Sequence, residues 1–177
     1  MNGKHISLFP GAGGLDIGLS KSGLGTPAFR KEKDRNCYET LEANSPMNII
    51  LGTDLQWGTK NILGGVKENL SFIQQLSNGR ELDIELISGG PPCQSFSTAG
   101  KRQAMKDDRG KLIESFLENV YYFHPRFFIM ENVRGLTSAS IKHRPVNERG
   151  VDYPPLSADE EPGSLLSNRI LQAMKPY

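Results

Sequence analysis

Five short strand-like runs, each followed by glycine, proline or a carboxylate and separated by helical stretches, constrain this chain more than any other feature. The runs are His5 to Phe9, Ala28 to Lys31, Asn48 to Leu51, Asp83 to Ser88 and Arg126 to Met130. Between them, Leu15 to Ser22, Cys37 to Asn44, Val66 to Leu76 and Lys111 to Phe123 space their apolar residues helically. In the last of these, Leu112, Phe116, Val120 and Phe123 fall on one face. Strand–helix alternation over this length predicts an α/β fold with a doubly wound, parallel sheet. In such sheets ligands sit beyond the carboxyl ends of the strands. The chemically informative residues fall there: Gly11 to Leu15, Glu32, Asp54, Pro91 to Gln94, and Glu131 with Asn132.

Composition narrows the class. At 177 residues, 37% hydrophobic, the chain has the material for one packed core. Its formal charge is +1, so bulk charge does not hold nucleic acid, and any such contact comes from a local patch. Two cysteines, Cys37 and Cys93, make no disulfide framework. No apolar run approaches the roughly 20 residues of a membrane span, and Met1 to Pro10 has no secretory pattern. The expectation is a cytoplasmic protein without a membrane segment. Pro145 to Gly163, with four prolines and Asp159-Glu160-Glu161, reads as a loop, and Ser164 to Met174 as a last helix.

Phe9-Pro10-Gly11-Ala12-Gly13-Gly14 lets backbone approach a ligand closely. A plain tight turn is the alternative. The nicotinamide fingerprint Gly-x-Gly-x-x-Gly fails, because Asp16 stands at its third glycine. A carboxylate there repels a pyrophosphate but is tolerable beside a ligand with a cationic centre. Glu32, about 20 residues past the glycines, stands where an acidic residue takes a ribose hydroxyl pair. Its alternative is a solvated residue in the run Arg30-Lys31-Glu32-Lys33-Asp34-Arg35. Asp54 could accept from an adenine amino group, or be a turn residue after Gly52. Together these sites describe an adenosine-type ligand with no phosphate requirement.

Gly89-Gly90-Pro91-Pro92-Cys93-Gln94-Ser95-Phe96-Ser97 is the sharpest signal. Prolines fix φ and glycines clear space, so a stiff turn presents Cys93 to a pocket. Its thiolate is a nucleophile able to add to an unsaturated ring carbon. Cys37, on a helix with Tyr38 and Leu41, reads as core. Glu131 ends an apolar strand, where desolvation favours a protonated carboxyl that can donate; a turn cap is its alternative. From Lys101 to Lys111 there are five basic and two acidic residues, which resembles a mobile basic lid that contacts phosphate, against a solvated loop. His5, His124 and His143 are scattered and suggest no metal site.

With these residues in view, the chain resembles the DNA cytosine-C5 methyltransferases. Phe9 to Leu15 looks like that family's S-adenosylmethionine loop, and Pro91-Pro92-Cys93-Gln94 like its nucleophile motif. Asp108-Arg109-Gly110-Lys111-Leu112 resembles the Asp-x-Arg-x-x-Leu element, and Glu131-Asn132-Val133 the motif whose Glu engages cytosine N3. Ser7 stands where many members have Asp. The resemblance runs from Phe9 to Val133. It implies a Rossmann-like methyltransferase sheet incomplete at its C-terminal strands, and S-adenosylmethionine held by Phe9, Gly11, Ala12, Gly13, Gly14, Leu15, Glu32, Asp54, Leu55, Pro91 and Leu112. It implies catalysis by Cys93 and Glu131. Contacts to double-stranded DNA are implied for Gln94, Ser95, Ser97, Lys101, Arg102, Lys106 and Arg109.

The implied reaction is methyl transfer to C5 of a flipped-out cytosine through a covalent bond to Cys93. Residues 1–177 read as a partial catalytic domain. The family's Gln-x-Arg-x-Arg motif, target-recognition domain and final helix are not in these 177 residues, so the implied partner is a second polypeptide carrying them, or the chain is a truncated product. A tRNA cytosine-C5 methyltransferase, an inactive cofactor-binding remnant and a cysteine-using nicotinamide oxidoreductase are the other readings. A restriction–modification role follows by analogy.

Overall fold

The computed structural model describes residues 4–44, 49–51, 83–92 and 111–175. The chain divides into two compact units: residues 1–91 with 114–131, and residues 92–113 with 132–177.

The first unit is built on a five-stranded parallel sheet. Its strands are β1 (Lys4–Leu8), β2 (Phe29–Glu32), β3 (Ile49–Leu51), β4 (Ile84–Gly89) and β5 (Phe127–Met130), in the order β3-β2-β1-β4-β5. All four pairings are parallel, with Ile6 opposite Phe29, Leu8 opposite Gly89, Glu32 opposite Leu51 and Gly89 opposite Met130. The chain runs outward from β1 through β2 to β3, then returns to β4 on the other side of β1. The β1–β4 junction is therefore the switch point, where crevices form beyond the strand ends. Among the described residues this unit carries the helices α1 (Gly14–Lys21) and α2 (Arg35–Asn44). A third helix, α3 (Lys111–Phe123), runs from the second unit into the first.

Parallel strands are covered on both faces and read as continuous apolar runs. β1 and β4 largely follow this, with Ile6, Leu8, Ile84, Leu86 and Ile87 buried, and with His5, Ser7 and Ser88 as buried polar exceptions. Phe116 of α3 is fully buried and meets Phe128 of β5 edge to face, ring centres 6.5 Å apart. Burial of one such ring contributes about 1.5–3 kcal/mol. His5 and Ser88 join β1 to β4 through Nε2 and Oγ, 2.7 Å apart.

β2 breaks the rule: Phe29, Arg30, Lys31 and Glu32 are all buried. The solvated charge run that the sequence allowed at this place is thus excluded for its first three charges. Asp16 is corrected likewise. Its carboxylate turns into the fold, 3% exposed, and takes Arg30 Nε at 2.9 Å and the Ser7 hydroxyl at 2.6 Å.

Helix α2 begins at Arg35, two residues before the sequence expectation, because Asp34 Oδ1 accepts the Cys37 amide as a cap. Of the Tyr38–Leu41 face only Leu41 is buried, and Cys37 is half-buried rather than core. The other described strands start or stop within one residue of expectation. The expected helix at Val66 to Leu76 lies outside the described residues.

In the second unit, Arg134–Ser138 and Val146–Glu148 are 3-10 turns. The expected last helix is present but winds as a π-helix over Leu165–Ile170 before an α turn at Leu171–Ala173. Apart from one 3-10 turn, 145–163 carries no regular helix or strand. It is nevertheless stapled. Arg144 binds Glu160 through Nε and a terminal nitrogen, and bonds the carbonyls of Pro154 and Pro155. Among the described residues no helix is long and apolar enough to cross a membrane.

Candidate cofactor and catalytic site

The turn after β1 is shaped by its backbone. Phe9 and Gly11 both adopt φ of +56°, and Gly13 has φ of +89°. Its φ favours glycine, and a β-carbon there would lie 2.8 Å from Leu41 Cδ2, so a larger residue must push Leu41 aside. The Gly13 amide bonds the Pro10 carbonyl, and α1 starts at the next residue.

Glu32 closes this turn from β2. Its Oε2 accepts the Gly11 amide at 2.8 Å, while Oε1 accepts the amides of Lys33 and Asp34, each at 2.8 Å. The side chain is 7% exposed, so a charge-assisted contact to it is made against little competing water. Phe9, Ala12, Gly14 and Leu15 belong to this same turn and helix start.

Across the switch point, the ends of β1, β4 and β5 meet. A β-carbon on Gly90 would lie 3.1 Å from Oε2 of Glu131 and 3.9 Å from the carbonyl oxygen of Phe9. The Glu131 amide bonds the Gly89 carbonyl at 2.9 Å, extending the β4–β5 ladder by one residue. Gly90 therefore lies between the turn after β1 and Glu131, and a side chain there would press on the Glu131 carboxylate while making only ordinary contact with Phe9. Pro91 is buried and Pro92 half-buried, and they lead directly into Cys93.

Glu131 is exposed, whereas the sequence reading puts it at the dry end of an apolar strand. The reason is topological. Among the described residues β5 is the sheet edge, Phe127 is 52% exposed, and the rest of the strand is only half-buried.

Leu112 is buried in the first turn of α3. Cys93, Asp54, Leu55, Gln94, Ser95, Ser97, Lys101, Arg102, Lys106 and Arg109 lie outside the described residues.

Burial pushes the Cys37 pKa up, with its contact to Asp34 and the charges of Glu32 and Asp34 acting the same way. Among the described residues no three His, Cys, Asp or Glu side chains gather as a metal site.

Sequence reasoning missed the Ser7–Asp16–Arg30 cluster. The available signal was Arg30 itself, a cation inside a run that must be buried on both faces to sit in a parallel sheet.

Comparison with known proteins bears on this geometry. A model of the C-5 cytosine-specific DNA methylase family matches residues 3–147. The Type II methyltransferase M.AquIA of Picosynechococcus sp. is 43% identical over 141 residues, covering 79% of this chain and 52% of that protein. M.Sau96I of Staphylococcus aureus is 38% identical over 131 residues, covering 73% of this chain and 27% of that one. The crystal structure of S. pombe Dnmt2 methyltransferase superposes with a TM-score of 0.50 at 17% identity, covering 78% of this chain and 36% of that one. That is a likeness of fold, and it agrees with the Rossmann-like sheet described above. The chain thus spans about half of one curated relative and about a quarter of the other. The family match takes in the glycine turn, the Gly-Gly-Pro-Pro strand end and Glu131, all on one rim, and the chain belongs to the C-5 cytosine-specific DNA methylases.

Proposed function

We propose that this chain is the cofactor-binding and nucleophile-bearing part of a DNA cytosine-C5 methyltransferase. The observation that carries the reading is the approach of Phe9, Gly90 and Glu131 at the β1–β4 switch point. A cofactor turn, a rigid lead into a thiol and a carboxylate are what the reaction needs within one crevice.

The residues fit S-adenosylmethionine. Glu32 offers a buried carboxylate suited to a ribose hydroxyl pair, and the Gly11–Gly14 backbone admits a ligand without steric cost from side chains. Asp54, Leu55, Pro91 and Leu112 complete the assignment. When bound, the cofactor supplies the methyl group that cytosine C5 accepts.

The chain's own side chains do the rest. The Cys93 thiolate adds to C6 of a cytosine extruded from the duplex, forming the S–C6 bond. The ring electrons so displaced make C5 nucleophilic. Glu131 holds N3 by a hydrogen bond that strengthens as charge develops there. After methylation water takes the C5 proton, and β-elimination breaks the S–C6 bond, restoring the thiolate. Gln94, Ser95, Ser97, Lys101, Arg102, Lys106 and Arg109 are assigned to DNA, the cations to its phosphates.

The reading extends to a second polypeptide. That polypeptide carries the Gln-x-Arg-x-Arg and recognition segments, and β5, the sheet edge among the described residues, with Phe127 exposed, is suited to receive further strands.

The test is tritium transfer from labelled cofactor to duplex DNA and to tRNA. It uses the chain alone and co-expressed with a polypeptide carrying those segments. Transfer to DNA on co-expression, abolished by Cys93→Ser and kept by Cys37→Ser, is expected. Turnover that survives Cys93→Ser would overturn the mechanism, and transfer to tRNA alone would overturn the substrate.

A further inference from the structure

The turn between β1 and α1 is held from β2 at two places. At the strand end, Glu32 takes the Gly11 amide at 2.8 Å. Two residues earlier, Arg30 donates Nε to Oδ2 of Asp16 at 2.9 Å, and Asp16 lies in the first turn of α1. The other oxygen of Asp16 accepts the Ser7 hydroxyl of β1 at 2.6 Å. Arg30 is 4% exposed, Asp16 3% and Ser7 0%.

A buried ion pair is a poor device for stability alone. Well-packed apolar residues of similar volume often serve the fold as well or better. What a charge-assisted hydrogen bond adds is direction, because it fixes distance and angle between two elements. Apolar contact is non-directional.

Direction matters here because α1 is not clamped on all sides. A cavity of about 420 Å³ opens between α1 and α2, with Gly13, Asp16, Ile17, Arg30 and Leu41 in its wall. Helix packing alone therefore leaves α1 room to shift. The turn it carries does not tolerate such a shift, since Gly13 is seated against Leu41 and the Gly11 amide is at hydrogen-bonding distance from Glu32.

We propose that Ser7, Asp16 and Arg30 form a positioning cluster that holds the Gly11–Gly13 turn in its cofactor-receiving shape. The three residues act through the backbone of the turn and do not touch the cofactor. The proposal rests on the cofactor reading given above and deepens it, because it names what sets the affinity of that site from behind.

The experiment replaces the cluster by apolar residues in the full chain, Ser7→Ala with Asp16→Leu and Arg30→Met. Calorimetric titration with S-adenosylhomocysteine gives affinity, thermal unfolding reports the fold, and amide exchange is followed at Gly11. The expected result is a folded variant that binds about tenfold more weakly, the scale of one charge-assisted contact, with faster exchange at Gly11. A folded variant with unchanged affinity would overturn the positioning role while leaving the cofactor site intact. If the triple variant does not fold, Ser7→Ala decides, since it removes one hydroxyl and leaves the ion pair. Weaker binding at an unchanged Tm supports the proposal, and equal binding overturns it. No binding by the unaltered chain would overturn the cofactor reading itself, and this proposal with it.

Discussion

Glu32 holds the amide of Gly11 at 2.8 Å, across a sequence separation of 21 residues, and so ties the end of β2 to the turn that leaves β1. A carboxylate in that position shapes the turn, and the proposed function gives it the ribose of the cofactor as well. Glu32→Ala is expected to weaken cofactor binding by about 1.5–3 kcal/mol, the worth of a hydrogen bond to a charged group. Glu131→Gln is expected to slow the chemical step and leave cofactor affinity alone. Calorimetric titration of both variants checks the assignment, and loss of cofactor in the Glu131 variant instead would reverse it.

Gly89 and Gly90 are adjacent but respond to different neighbours. A β-carbon on Gly89 would lie 2.2 Å from the Leu8 carbonyl oxygen and 3.0 Å from Phe116 Cε2, so β1 and β4 must separate to admit it. Gly89→Ala is expected to destabilise the fold by about 1–3 kcal/mol or more, as overpacking does. At Gly90 the nearest atom is the mobile end of Glu131, at 3.1 Å. Gly90→Ala is expected to keep its stability and lose methyl transfer by displacing that carboxylate. Urea unfolding of the two variants gives the ranking, and the reverse order would count against the strand-end geometry.

Burial holds the His5 pKa below its ordinary 6.5, opposed in part by the charge of Asp16 and a contact to the Gly25 backbone and reinforced by Arg30. The unfolded chain takes up a proton at 6.5 that the folded chain refuses. Stability is therefore expected to fall as pH drops through 6.5, and His5 contributes no slope well above it. Thermal unfolding between about pH 7.5 and pH 5 measures this slope. His5→Gln is expected to flatten it, and an unchanged slope would remove His5 as its source.

Arg144 and the Ser157 amide and hydroxyl hold Glu160 down to about 2, from an ordinary 4.5. Its contribution to closing the 144–160 segment is present above pH 4.5 and is lost as pH falls towards 2. Solvent screening keeps that contribution small, so local opening is the better readout than global stability. Glu160→Gln is expected to speed tryptic cleavage at Arg149, which bonds the Arg144 carbonyl within the same segment. Equal cleavage rates would show that the prolines hold the segment without the ion pair.

Much of the sheet is legible in sequence because β1 and β4 are buried on both faces and carry mostly apolar side chains. Glycines are legible for a related reason: a tight turn with positive φ, as at Gly13, favours them. The carboxylates Glu32 and Glu131 announce themselves by following strands. What sequence alone did not convey is which charges are neutralised inside. Arg30, Lys31 and Glu32 look like solvent-facing residues, and only a fold that brings Asp16 against Arg30 and the Gly11 amide against Glu32 makes burial of those two tolerable. The exposure of Glu131 has the same origin. Local pattern places it at a strand end, but its contact with water depends on β5 lying at the edge of the described sheet. Side-chain periodicity is a property of consecutive residues, whereas desolvation and charge pairing depend on which distant segments lie alongside, and tertiary structure alone decides that.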